Sequence, residues 1–164
     1  MGIWPKREKL PTELALVIPR GQKVMAWARI SGGFLAVTSE SLINVDTHET
    51  NIIPWGYTLQ ARWESPLLSV TVQTNPQSEP VQMSWLIQEP GLIPVAVRDR
   101  VTAAVVIDQF REVEGVGRVL FIARRVFEDI VWTAVPDNQE LANSEAGQRA
   151  IGEELSILQA NFGI

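Results

Sequence analysis

The chain has no cysteine among its 164 residues, one histidine and one tyrosine. The absence of cysteine excludes disulfides, thiolate metal sites and cysteine nucleophiles together. With His48 as the sole histidine, any imidazole chemistry must pass through that residue. Long apolar runs are missing as well. The stretch Leu14-Ala15-Leu16-Val17-Ile18 stops at Pro19, far short of the roughly 20 apolar residues of a membrane-crossing helix. The start Lys6-Arg7-Glu8-Lys9, followed by Leu10-Pro11-Thr12-Glu13, does not read as a signal peptide. A cytoplasmic protein with no integral membrane segment is expected.

Positive charge is scarce outside the first residues. The formal net charge is −5, yet residues 1–23 carry five basic and two acidic side chains. Residues 24–136 carry eight basic against twelve acidic, and residues 137–164 one against five. An acidic body lacks the broad cationic face that a phosphate backbone requires, so no nucleic-acid partner is expected. What the chain does have is apolar content. At 46% hydrophobic residues it can fill one core, and a fold of this size buries on the order of 70% of its unfolded surface. The expected division is an extended basic arm over residues 1–12 and a single domain over 13–164.

Between residues 23 and 88 short runs alternate apolar and polar side chains. Tyr57, Leu59, Ala61 and Trp63 share one face, and Thr58, Gln60, Arg62 and Glu64 the other, the period of a half-buried antiparallel strand. Similar runs at 24–30, 34–38, 41–46, 67–73 and 81–88 bring the expected strands to six, with 47–51 as a polar loop. After Pro90-Gly91 the spacing becomes helical over 92–107. Residues 116–126 and 129–135 read as a hairpin around Phe127-Glu128. Asn143 or Ser144 can cap a last helix with Ile151, Leu155, Leu158 and Phe162 on one stripe, ended by Gly163. That stripe must be buried either on its own sheet or on a second copy, so self-association is open. The fold class is α+β and sheet-dominated: a barrel or sandwich of antiparallel strands, a helix after strand six and a C-terminal helix.

Few residues carry chemistry. Asp46-Thr47-His48-Glu49 brings two carboxylates and the imidazole within four residues, which suits a divalent cation or, more simply, a solvated loop. Adjacent Glu153 and Glu154 point about 100° apart on a helix and do not converge. No Gly-x-Ser-x-Gly elbow and no phosphate-cradling glycine spacing occurs. The expectation is a protein that is not an enzyme and takes no cofactor or metal. Of the six tryptophans, Trp27, Trp63, Trp85 and Trp132 fall on core faces, and Trp55 plugs the core or lines a groove. Trp4 sits apart, beside Lys6, Arg7 and Lys9, a set suited to a partner or to an anionic membrane surface. Arg98, Arg100, Arg124 and Arg125 are the other basic positions, either ion-paired with the acidic body or placed to contact an anion.

Several fragments together resemble a family of small actinobacterial proteins of no established activity. These are Met25-Ala26-Trp27-Ala28-Arg29, Gly33-Phe34-Leu35-Ala36-Val37-Thr38 with Leu42, Ile53-Pro54-Trp55 and Ala61-Arg62-Trp63. Arg98-Asp99-Arg100-Val101-Thr102, Ala123-Arg124-Arg125 and Trp132 continue the match. The β-rich half is similar to bacterial pleckstrin-homology-like domains. That resemblance implies a twisted sheet closing on itself with a helix plugging one end, and it supplies no catalytic residues. The segment after Asp46 departs from it, being longer and more polar. The functional expectation is a non-enzymatic binding or adaptor module with an unknown protein partner. Peripheral membrane attachment through the N-terminal arm is the alternative.

Overall fold

The structure is a computed structural model that describes residues 8–76 and 78–164. Trp4, Lys6 and Arg7 therefore lie outside the described residues, whereas Lys9 lies within them and is exposed. Among the described residues no helix is long and apolar enough to cross a membrane.

The described chain is sheet-dominated α+β, with ten strands in three separate antiparallel meanders. The first sheet runs β1 (Val24–Ile30), β2 (Gly33–Thr38), β3 (Ser41–Asp46) and β4 (Thr50–Pro54). A 3-10 turn at Trp55–Tyr57 leads to the second sheet, β5 (Thr58–Glu64), β6 (Leu67–Val72) and β7 (Val81–Leu86). The alternation read at 57–64 appears in β5 from Leu59 on, where Leu59, Ala61 and Trp63 are half-buried and Gln60, Arg62 and Glu64 exposed, whereas Thr58, read onto the polar face, is buried at a register shift. Leu35, Val37 and Leu42 of the first sheet share a core with Leu68, Val70 and Trp85 of the second. Helix α2 (Ile93–Ala104) inserts Ile93, Val97 and Ala104 into the same core.

Three expectations fail here. The helix follows a seventh strand and not the sixth, because Thr50 to Pro54 pair with β3 in unbroken register. Thr50 and Asn51 hid that strand behind polar side chains, and Pro54 is tolerated because β4 is an edge. The helix also stops at Ala104, not 107. Val105 to Val113 form β8, with exposed Val106, Asp108, Phe110 and Glu112 alternating against more buried neighbours. Val101, Ala104 and Val105 fit a helical stripe on paper, but the β-branched run Val105-Val106-Ile107 favours the extended chain. A closed barrel does not form either, since hydrogen bonding leaves the sheets separate.

The C-terminal part is an addition with a core of its own. β8, β9 (Gly117–Val126) and β10 (Asp129–Pro136) form the third sheet, in the order β10-β9-β8. Asn138 caps α3 (Gln139–Asn143), and Ser144 caps α4 (Glu145–Phe162) by accepting the Gly147 N–H at 2.9 Å. Gly163, at φ +71°, ends α4 as its sequence position suggested. Leu158 of α4 is fully buried with Val119, Phe121 and Trp132, and Ile151 and Leu155 pack beside it. The amphipathic stripe is thus covered within the same chain, although Phe162 remains 43% exposed.

The outer face of the first sheet is covered too. The short helix α1 (Thr12–Ala15) buries Leu14 completely against Ala36, Ile43 and Val45. This explains why β2 and β3 are buried on both faces and show little alternation.

Candidate functional site

The two parts of the molecule meet where the 3-10 turn touches β9, and glycine makes that approach possible. A Cβ on Gly56 would collide with the Arg125 carbonyl oxygen and with Val126 Cγ2. Beside this contact lies an open cavity of about 700 Å³. Trp55, Ala103 and Ala104 form its apolar wall. The Trp55 indole is 4% exposed and donates from Nε1 to the Thr38 carbonyl at 2.9 Å. The Thr38 hydroxyl in turn accepts the Ser41 N–H at 2.9 Å and meets Gln22 Oε1 at 2.6 Å. The Ser39-Glu40 corner of the cavity is therefore rigidly tied to the core.

Charges of both signs surround the opening. Arg100 comes from α2, Arg125 from β9, Glu40 from the β2–β3 turn, and Glu128 and Asp129 from the β9–β10 turn. Among the described residues none of these side chains makes an ion pair with another. Arg100 Nε is buried without a hydrogen-bond partner. At the rim stands Phe127, 52% exposed and with φ +55°, the only described non-glycine residue in the left-handed region. A bulky side chain held there costs roughly 1–2 kcal/mol.

Of the four arginines singled out from sequence, Arg100 and Arg125 share this cavity and the other two do not. Arg98 faces a separate groove with Trp63, Leu68 and Pro94. Arg124, next in the strand to Arg125, points to the opposite face of the sheet and is 7% exposed. Its Nη1 donates to Thr133 Oγ1 at 3.1 Å, and burial lowers its pKa from the ordinary guanidinium value.

The acidic and aromatic members of the cavity, Glu40, Phe127, Glu128 and Asp129, were not among the residues singled out. One signal for them was present. A two-residue hairpin turn ordinarily takes Asn-Gly or a leading glycine, and this one reads Phe-Glu.

The Asp46–Glu49 segment is organised as a turn. Asp46 Oδ1 accepts the N–H groups of His48 at 2.7 Å and of Glu49 at 2.9 Å. These bonds, the His48 one foremost, hold the Asp46 carboxyl below the ordinary carboxylate range. Among the described residues no three His, Cys, Asp or Glu side chains gather as metal ligands. A carboxyl with a folded pKa below its unfolded one contributes stability above the unfolded value and loses it as pH falls through the folded one. Urea unfolding at stepped acid pH is therefore expected to show a steeper loss for the native chain than for Asp46→Asn in that window. Parallel curves would mean that the turn gains nothing from the ionised carboxylate.

No protein-family model, curated protein or solved structure matches the chain.

Proposed function

We propose that the chain is a non-enzymatic binding or adaptor module on a pleckstrin-homology-like fold, and that it holds a protein partner at the cavity beside Trp55. The fold reading is supported by seven meandering strands in two facing sheets, followed by a helix that enters their shared core. The functional reading rests on one observation: a strained, half-exposed phenylalanine stands at the rim of a cavity whose charged side chains make no ion pair among the described residues, with Arg100 Nε buried and unpartnered there. Backbone strain of this kind persists where the surroundings impose it, and it clusters at contact sites. An apolar wall with arginines and carboxylates of both signs around it suits a protein segment with an apolar anchor flanked by charge.

Phe127→Gly separates binding from folding. Glycine adopts a positive φ freely, so stability is expected to hold or rise by up to about 1 kcal/mol. Partner capture, by contrast, is expected to fall. The test is capture from a native lysate by the intact chain, Phe127→Gly, Arg125→Glu and a form lacking residues 1–12. Proteins lost with both cavity variants and kept by the shortened form support the reading. Proteins kept by both cavity variants and lost with residues 1–12 would transfer the function to the arm.

A further inference from the structure

We infer that β10 is a pairing edge for a second copy of this chain, joining two third sheets into one six-stranded sheet across a two-fold axis. This proposal stands apart from the cavity and does not depend on it. Asp129 pairs with Val126 across the two-residue turn, and this register continues without a shift to Pro136 opposite Val119. The closing pair of such a hairpin is hydrogen-bonded, so Asp129, Val131, Thr133 and Val135 direct their backbone groups to β9. The Asp137 N–H, which donates to the Arg118 carbonyl at 3.0 Å, lies on the same parity. Ile130, Trp132 and Ala134 therefore present their N–H and C=O groups outward. Among the described residues these groups make no backbone hydrogen bond beyond the sheet. Pro136 shares the outward parity, where its missing N–H leaves the β9 ladder intact.

Edge strands normally carry protection such as a bulge, a lysine or an early proline. Of the six edge strands, β1, β5 and β8 each contain a register shift, and β4 and β7, though unshifted and uncharged, are only five and six residues long. β8 also carries Asp108, Arg111 and Glu112. β10 has no shift over eight residues, and its one charged residue, Asp129, stands at its first position. A second copy fits this edge for reasons of symmetry and charge. Antiparallel pairing centred on Trp132 sets Trp132 opposite Trp132, and Ile130 opposite Ala134, all with outward backbone groups. Val131 then faces Thr133, and Asp129 faces Val135, so no like charges meet although each copy carries a net −5. The bulged, charged β8 edges stop the sheet at two copies, giving a closed and isologous assembly. In this register the two Phe127 turns lie ten residues apart along the paired strands, or about 33 Å at strand spacing.

Sedimentation equilibrium across a concentration series tests the association, with Ala134→Pro as the disrupting variant. Proline at 134 removes an outward N–H, as Pro136 already does, and leaves the bonds to β9 in place. The native chain is expected to be dimeric and Ala134→Pro monomeric, with unchanged circular dichroism. The register is tested independently by Val131→Cys/Thr133→Cys in this cysteine-free chain. Oxidation is expected to give a disulfide-linked dimer through the non-hydrogen-bonded 131–133 pairs, and this result decides the matter if the proline variant fails to fold. A native chain that stays monomeric throughout would overturn the proposal. So would a dimer that survives Ala134→Pro and does not cross-link.

Discussion

Gly56→Ala is expected to lower stability by about 3 kcal/mol or more, a large share of a typical folding free energy. The added methyl group would overlap the Arg125 carbonyl oxygen and Val126 Cγ2. Neither can move alone, because Arg125 is paired with Ile130 in the β9–β10 ladder and Val126 is 5% exposed. The 3-10 turn is just as constrained, with Trp55 anchored to Thr38 in front of it. The strain must therefore open the contact between the sandwich and the third sheet. Gly152→Ala is the control with the opposite sign. It lies in the interior of α4 with nothing near its Cβ position, so alanine is expected to stabilise by about 0.5–1 kcal/mol. Urea midpoints for both variants check the pair. Equal midpoints would mean that the turn and β9 are not seated against each other.

The contrast between these glycines shows where sequence reading reaches its limit. Gly163 could be placed at a helix end from its position after an amphipathic stripe, because that argument is local. The role of Gly56 depends on a strand some 70 residues later. The same division runs through the fold. Strands with one wet face, such as β5, declare themselves by alternation, whereas β3 is buried on both faces and was placed by its flanking turns. β4 was lost because its polar start and Pro54 carry no period, and β8 because its first residues continue the helical spacing of α2. At the cavity, Arg100 and Arg125 could be named as basic residues, but nothing local said that they meet. Conversely, Arg98 and Arg124 had the same sequence credentials and face elsewhere: Arg98 stands about 200° from Arg100 around α2, and Arg124, as the strand neighbour of Arg125, points to the other side of its sheet. Trp55 was legible as core plug or groove wall, and it is both.

That double position makes Trp55 the site of the second large effect. Trp55→Ala is expected to cost about 3–5 kcal/mol, because it empties a buried site in the main core and leaves the Thr38 carbonyl without its donor. Trp55→Phe keeps most of the apolar surface and loses the indole N–H, so about 1–2 kcal/mol is expected. Denaturant unfolding measures both, and the gap between them divides packing from hydrogen bonding. If Trp55→Phe costs as much as Trp55→Ala, the Thr38 bond and not the packed ring holds this corner. The milder variant also stays folded enough to assay. Since Trp55 supplies the cavity wall while Phe127 supplies its rim, Trp55→Phe that folds but captures less partner would place recognition inside the cavity. Capture that falls only with Phe127→Gly would place it at the turn, with Trp55 acting as the support that holds the cavity in shape.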